Sequence, residues 1–135
     1  MRRAHFLGVL GSGMAPLAGL AKELGWTVSG SDKNLQGEKR TAMENQGITL
    51  VDDVAGLPGD VEIVVYSSAI RKDDPRLVEA RKKCIILFHR MEFLNLLIGR
   101  TEVRFAVAGT HGKTSSSSML GFVLLALGFD PDIIV

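Results

Sequence analysis

Glycine, lysine and threonine come together near the end of this sequence in a pattern suited to binding phosphate. The stretch AVAGTHGKT places Gly109, Gly112, Lys113 and Thr114 between an apolar run and a helical pattern. Backbone N–H groups of such a loop can surround phosphate oxygens, the lysine can neutralise them, and the threonine hydroxyl can bind Mg²⁺. The common P-loop spacing would put its first glycine at Val107, so the match is not strict. We predict a nucleotide-phosphate site here, with a capped turn and a solvated lysine as the alternative.

A second glycine-containing loop lies near the N-terminus, in GVLGSGM. Gly8 and Gly13 fit the dinucleotide-binding pattern G-x-G-x-x-G, but its middle position is Leu10. Gly11 can supply the close backbone approach to a diphosphate one position later. Asp32 follows a second apolar run about twenty residues on, where a carboxylate can bind ribose hydroxyls. The alternatives are a tight strand-to-helix turn without a ligand, and an aspartate that caps its own turn.

Both loops need a scaffold, and the hydrophobic pattern predicts a parallel α/β sheet. Short strand-like runs alternate with segments of helical period, and the predicted strands are HFLGVL, WTVSGSD, ITLV, VEIVVYSSA, CIIL and VRFAVA. Such alternation with short turns is typical of a Rossmann-like parallel sheet with helices on both faces. A polar link at residues 99–102 predicts a boundary. One domain would cover 1–99, and a strand, phosphate loop and helix over 100–135 would begin another.

Composition excludes several classes of protein. Among 135 residues 46% are hydrophobic, and sixteen basic against fifteen acidic side chains leave a net charge of +1. This is an ordinary globular composition, and its charge gives no reason to expect a nucleic acid or a membrane as partner. No run approaches the ~20 apolar residues that span a bilayer. The single cysteine, Cys84, allows no internal disulfide, so we expect a cytoplasmic protein.

Five stretches, HFLGVLGSGM, VSGSD, YSSAI, DDP and AVAGTHGKT, occur in an order and spacing that resembles the Mur ligases, the peptidoglycan precursor synthetases. The resemblance covers nearly the whole chain and favours the alanine-adding members. It implies that residues 1–99 are the Rossmann-like UDP-sugar-binding domain. Residues 100–135 would begin the central ATP-binding domain, truncated here. Leu10 stands where the family usually has glycine, and Ala15-Pro16 where it has Ser-Gly.

The resemblance also implies two sets of site residues. The UDP-sugar would be bound by Gly11, Ser12, Gly13, Met14, Ser31, Asp32, Ser67, Ser68 and Ala69. ATP would be bound by Gly109, Thr110, His111, Gly112, Lys113, Thr114 and Ser115. Lys113 and Thr114 would act in catalysis, and Thr114 would bind Mg²⁺ together with ATP. Two roles stay open: His111 either bonds phosphate or holds the turn, and Arg90 either meets an anionic sugar substituent or is solvated.

The activity implied is that of an ATP- and Mg²⁺-dependent ligase of peptidoglycan synthesis, which joins L-alanine to UDP-N-acetylmuramate through an acyl phosphate. The fragment alone would bind the UDP-sugar without turnover. A murein-tripeptide recycling ligase of the same family is one alternative. The residues by themselves also leave open an NAD(P)-binding domain of an oxidoreductase and a nucleotide-binding module without chemistry. A homo-oligomer is compatible with the sequence, which leaves the oligomeric state open.

Overall fold

The computed structural model describes residues 2–99 and 103–133. Contacts within the chain divide it into two compact units, Met1–Gly99 and Arg100–Val135. Most of the predicted link at residues 99–102 lies outside the described residues, so its conformation stays a prediction. No helix in the described parts of the chain is both long enough and apolar enough to cross a membrane.

The first unit is built on a five-stranded parallel sheet. Its strands are β1 (Arg3–Leu7), β2 (Thr27–Asp32), β3 (Thr49–Asp52), β4 (Ile63–Tyr66) and β5 (Ile86–His89). They lie in the order β3-β2-β1-β4-β5, and every neighbouring pair is parallel. The chain runs from β1 outward to β3 and then crosses to β4 on the other side, so the strand order reverses between β1 and β4. This architecture confirms the predicted parallel α/β fold.

Helices pack on both faces of that sheet. They are α1 (Ala15–Glu23), α2 (Glu38–Asn45), α3 (Pro75–Lys82) and α4 (Arg90–Ile98). Phe6 and Leu7 are adjacent in β1, so their side chains point to opposite faces. The ring of Phe6 packs edge-on against Phe93 of α4 at 5.5 Å, whereas Leu7 clusters with Leu77 and Ala80 of α3. The helices α3 and α4 therefore cover opposite faces, as predicted.

Local sequence signals set several ends of these elements. The helix α3 begins where the Asp74 carboxylate accepts a hydrogen bond from the Arg76 N–H at 3.0 Å, with Pro75 as its first residue. The strand β1 is shorter than predicted, because it ends at Leu7 rather than at Leu10. The chain turns at Gly8, whose φ of 72° lies in the left-handed region that glycine tolerates best.

The described part of the second unit contains one helix, α5 (Lys113–Ala126). The predicted sixth strand, VRFAVA, is wrong for this structure, because residues 103–109 form no strand. A strand needs a hydrogen-bonded neighbour, and the described residues of this unit provide none. The predicted last helix is confirmed, and it ends before Gly128. Most of its large apolar side chains are exposed, and 72% of the surface of Phe122 is open to solvent.

Candidate functional site

Three loops meet at the carboxyl edge of the sheet in the first unit. They follow β1, β2 and β4, and they carry the predicted residues Gly11–Met14, Asp32 and Ser67–Ala69. In open parallel sheets a ligand crevice forms at this edge, where the strand order reverses. That reversal lies between β1 and β4 here. The topology therefore brings residues that are distant in sequence to one candidate crevice.

The loop after β1 is closed by its own hydrogen bonds except at Ser12 and Gly13. Gly11 N–H donates to the Gly8 carbonyl at 3.0 Å, and Met14 N–H donates to the Gly11 carbonyl at 2.9 Å. The amides of Ser12 and Gly13 have no partner within the described residues. They precede the N-terminus of α1, whose dipole favours a negative charge. The two N–H groups can therefore bind an anion, whereas Met14 has a bonded amide and a side chain that is only 3% exposed.

The guanidinium of Arg90 lies directly against this loop. A Cβ atom added at Gly13 would overlap Nη1 of Arg90, so the guanidinium can keep this position only while residue 13 is glycine. The Nε atom of Arg90 is buried and has no hydrogen-bond partner among the described residues. A buried N–H of a cation without an acceptor is costly, and an anion in the crevice would satisfy it. The contact with Gly13 was not predicted, because the sequence left Arg90 open between an anion contact and a solvated position.

Asp32 joins the loop after β1 to the end of β2. Its Oδ2 accepts a hydrogen bond from Leu10 N–H at 3.0 Å, and its Oδ1 accepts one from Asn34 N–H at 3.2 Å. Asp32 thus caps the turn, as one of the two predicted roles requires. Each carboxylate oxygen can accept more than one hydrogen bond, so a ribose hydroxyl remains compatible with this arrangement. The amide of Leu10 is engaged with Asp32 and the side chain is buried at 8% exposure, so Leu10 does not project into the crevice.

Ser31 lies beneath the crevice rather than in it. The residue is fully buried, and its hydroxyl lies 3.2 Å from Nε2 of His5 and 3.4 Å from Nη1 of Arg76. Its carbonyl oxygen accepts hydrogen bonds from the amides of Gly8 and Val9, at 2.8 Å and 3.1 Å. Any part that Ser31 plays in ligand binding is therefore indirect, through the loop that its carbonyl holds in place.

The loop after β4 contributes the other side of the crevice. Ser67 is half-buried, and Ser68 and Ala69 are exposed. A cavity of about 310 Å³ lies beside them, lined by Lys33, Ala69, Ile70, Arg71, Asp73, Asp74, Pro75 and Arg76. Among the predicted site residues only Ala69 lines it, and its basic lining residues come from the loop after β2 (Lys33), the loop after β4 (Arg71) and the start of α3 (Arg76).

The predicted phosphate loop of the second unit has its own exposed amides. Gly112 has a φ of 74° and forms the N-cap of α5, which begins at Lys113. Along the described residues from Gly109 onward, Ser116 is the first whose backbone N–H is hydrogen-bonded to the loop, and it donates to the Gly112 carbonyl at 2.9 Å. The predicted ATP residues before it are all exposed: Gly109, Thr110, His111, Gly112, Lys113, Thr114 and Ser115. Their amides precede a helix of fourteen residues and can surround an anion.

Lys113 folds back over this loop. Its Nζ donates to the Gly109 carbonyl at 2.7 Å and lies 3.4 Å from the Thr110 carbonyl. The ammonium group is therefore already held beside the turn that would receive a phosphate chain. Within the described residues there is no group of three His, Cys, Asp or Glu side chains that could hold a metal. The magnesium contact at Thr114 stays a prediction.

Comparison with known proteins gives consistent results for the whole chain. The family model described as Mur ligase family, catalytic domain, matches residues 3–101. A UDP-N-acetylmuramate–L-alanine ligase from Synechococcus sp. (strain JA-3-3Ab) is 43% identical over 133 residues, which cover 97% of this chain and 26% of that protein. The chain spans less than a third of the length of the curated relatives that it matches.

Solved structures show the same likeness. A murein peptide ligase from Psychrobacter arcticus 273-4 is 32% identical with a TM-score of 0.87, and the match covers 95% of this chain and 27% of that one. A UDP-N-acetylmuramate-alanine ligase from Thermotoga maritima is 28% identical with a TM-score of 0.83, over 95% of this chain and 30% of that one.

Proposed function

This chain belongs to the Mur ligase family, and from that premise we propose that it forms the UDP-sugar-binding part of a peptidoglycan precursor ligase. Residues 1–99 are the proposed UDP-sugar-binding domain, and residues 100–135 are the proposed start of the ATP-binding domain. The complete ligase would join L-alanine to UDP-N-acetylmuramate. The name of the relative from Synechococcus supports this choice of substrates.

The contact between Arg90 and Gly13 carries the proposal. It places the Nη1 end of the Arg90 guanidinium beside two amides, those of Ser12 and Gly13, that have no partner among the described residues, and Nε of the same guanidinium is buried without a partner among them. Three donors and a helix N-terminus form a site for an anion with several oxygens. In a UDP-sugar the diphosphate is that anion, and Asp32 would then accept from the ribose hydroxyls.

Specificity for the rest of the sugar nucleotide would come from the loop after β4. Ser67, Ser68 and Ala69 lie on the far side of the crevice from Asp32. Ala69 also lines the adjoining cavity of about 310 Å³. We assign to these three residues contacts with uridine or sugar. Ser31 supports the crevice from below through its buried hydroxyl and its carbonyl oxygen.

ATP would bind to the loop from Gly109 to Ser115. Its exposed amides, the ammonium group of Lys113 and the hydroxyl of Thr114 fit a phosphate chain with its Mg²⁺. MgATP, when bound, would supply the γ-phosphoryl group, which the lactyl carboxylate would take to give an acyl phosphate and ADP. The amine of L-alanine would then attack the acyl carbon, and inorganic phosphate and a proton would leave as the amide bond forms. For this the ammonium of Lys113 must exchange the Gly109 carbonyl for phosphate oxygens. The other catalytic groups would have to come from a longer chain, so residues 1–135 alone are expected to be inactive.

A second acceptor deserves a test because a murein peptide ligase superposes on this chain with a TM-score of 0.87. In that case the amine would belong to a peptide rather than to L-alanine. The proposed contacts of Arg90, Asp32 and the loop after β4 concern the sugar nucleotide only. They do not discriminate between the two acceptors.

Calorimetric titration of the chain with UDP-N-acetylmuramate, NADH and ATP tests the proposal. We expect the UDP-sugar to bind and NADH not to bind. Arg90→Ala should weaken UDP-sugar binding about tenfold or more, because it removes charged hydrogen bonds. Arg40→Ala, which removes an exposed arginine paired with Glu44 on α2, is the matched control and should change little. Tight NADH binding without any response to the UDP-sugar would instead indicate an oxidoreductase domain.

A further inference from the structure

A chain of hydrogen bonds runs beneath the crevice from β1 to α3. His5 of β1 is fully buried and lies opposite Ser29 of β2 in the sheet register. Its Nδ1 is 2.9 Å from Oγ of Ser29, and its Nε2 is 3.2 Å from Oγ of Ser31. Oγ of Ser31 is in turn 3.4 Å from Nη1 of Arg76. Both ring nitrogens of the histidine therefore have a hydrogen-bond partner, and this series of hydrogen bonds ends at the Arg76 cation.

The direction of each proton follows from the chemistry of the partners. A guanidinium can only donate, so Ser31 must accept from Arg76. Ser31 is fully buried and has one hydroxyl proton, for which Nε2 of His5 is the only acceptor in hydrogen-bond contact among the described residues. Nε2 must then carry the lone pair, and Nδ1 must carry the proton that it donates to Ser29. This assignment gives an acceptor to the ring proton of His5 and to the hydroxyl proton of Ser31.

Arg76 connects this series of hydrogen bonds to the crevice. Its Nη1 also donates to Asp53, and its Nε and Nη2 donate to the two oxygens of Asp74 at 2.9 Å and 2.8 Å. Four of the five N–H groups of the guanidinium thus have partners, and the side chain is 9% exposed. Arg76 nevertheless lines the cavity of about 310 Å³, together with Lys33 and Ala69. Its orientation therefore shapes that wall of the crevice.

We propose that His5 is a positioning residue for the crevice: held as the Nδ1–H tautomer, it orients the Ser31 hydroxyl, which fixes the Arg76 guanidinium in the cavity wall. The effect of His5 on ligand affinity rests on the proposed binding of a UDP-sugar. The tautomer of His5 and the fixed orientation of the Arg76 guanidinium do not depend on it. His5 itself touches no ligand, since it is fully buried in the sheet.

The surroundings of His5 keep the ring neutral. Burial and the nearby Arg76 cation lower the pKa of His5 to about 4. On β2 the ring meets the hydroxyls of Ser29 and Ser31, and on β4 the residue pairs with apolar Val64. No carboxylate bonds to the ring among the described residues, because those of Asp53 and Asp74 are bound to Arg76. The carboxylate of Asp32, at the end of β2, bonds to the amides of Leu10 and Asn34.

Nitrogen-15 NMR of the histidine ring tests the tautomer directly. We expect a protonated Nδ1 and an unprotonated Nε2 at pH 7. A protonated Nε2, or a doubly protonated ring, would overturn the proposal. This measurement uses the unsubstituted chain, so it does not depend on whether any variant folds.

Two substitutions of similar size test the positioning role. In His5→Gln the amide oxygen reaches the place of Nε2 and can still accept from Ser31, whereas in His5→Asn the polar atoms reach only the place of Nδ1. Proton exchange at Nη1–H of Arg76, the group that contacts Oγ of Ser31, should stay slow in His5→Gln and become about fivefold faster in His5→Asn, as loss of one buried hydrogen bond implies. Equal exchange in both variants would contradict the proposal. If either variant fails to fold, Ser31→Ala should accelerate the same exchange, and unchanged exchange there would also contradict it.

The same pair should differ in ligand affinity. We expect His5→Gln to bind UDP-N-acetylmuramate within about twofold of the unsubstituted chain, and His5→Asn to bind it about fivefold more weakly. Equal weakening in the two variants would contradict a positioning role. If the unsubstituted chain binds no UDP-sugar, the proposed function fails, while ring NMR and Arg76 exchange still decide the role of His5.

Discussion

Gly13 and Arg90 are in direct contact, although they belong to different helix starts at the same edge of the sheet. The guanidinium occupies the space where any other residue at position 13 would carry its Cβ atom. The position of the guanidinium thus depends on the glycine, whose own backbone angles are not in the left-handed region. Nε of the same side chain is buried without a partner among the described residues, which supports the proposal that an anion binds beside Gly13.

Substitution of Gly13 should therefore impair binding more than stability. In Gly13→Ala the guanidinium of Arg90 must move away from the loop, and we expect UDP-N-acetylmuramate to bind about tenfold more weakly by calorimetry. Gly59→Ala is a suitable control, since a Cβ there meets nothing within 4 Å. Unchanged affinity in Gly13→Ala would show that Arg90 does not contribute to the site.

The buried histidine predicts a dependence of stability on pH. The pKa of His5 is lowered to about 4, against about 6.5 in an unfolded chain, so the unfolded state binds the extra proton first. Stability is therefore full above pH 6.5 and falls as the pH drops toward 4, by up to roughly 3 kcal/mol from this residue. Urea unfolding at several pH values, compared with His5→Gln, measures the contribution. If both proteins lose the same free energy of unfolding between pH 6.5 and 4.5, His5 is not its source.

The C-terminus of α3 should be stabilised by a glycine. Cys84 has a φ of 54°, and it is the one described non-glycine residue in the left-handed region. The N–H of Cys84 donates to the Arg81 carbonyl at 3.2 Å, and the N–H of Ile85 donates to the Ala80 carbonyl at 2.9 Å. This is the Schellman pattern, which favours glycine at the position of Cys84. Cys84→Gly should raise the free energy of unfolding by about 0.5 kcal/mol, since relief of strain exceeds the added freedom of the unfolded chain.

Cys84→Ser is the control for that change, because it removes the thiol and keeps the Cβ atom. Its denaturation midpoint should stay close to that of the unsubstituted chain. A Cys84→Gly variant that unfolds at lower denaturant concentration than Cys84→Ser would refute the interpretation.

Gly30 of β2 should tolerate no larger residue. A Cβ at this position would lie 2.6 Å from Cβ of Val9, in the loop that returns over the strand. Gly30→Ala should destabilise the chain by about 2 kcal/mol in urea unfolding, as overpacking of a buried site does. Adding Val9→Gly, which removes the contacting Cβ atom, should recover part of that loss.

A second glycine provides the contrast. Gly19→Ala, in the middle of α1, meets only the end of the flexible Gln46 side chain at 3.3 Å. It should be neutral or stabilising, because alanine favours a helix over glycine. Equal destabilisation by both alanine substitutions would show that the contact with Val9 is not the cause.

Much of the fold could be predicted because its signals are local. Asp74 and Pro75 start α3 in the structure as in the sequence, and the alternation of strands and helices gave the parallel sheet. The prediction of a sixth strand was wrong because a strand also needs a partner that is distant in sequence. VRFAVA has the composition of a strand but no neighbouring strand in the described residues. Strand formation depends on a partner that a single run of residues cannot reveal.

By itself, the sequence determined the family, the order of the elements and the two loops with glycine. Those properties depend on residue type and short spacing, which a linear chain records. Only the tertiary structure decided that Arg90 covers Gly13, that the amide of Leu10 bonds to Asp32, and that the hydroxyl of Ser31 faces His5 rather than the crevice. These contacts join residues far apart in the chain, and their geometry is fixed only when the parallel strands and their helices pack together.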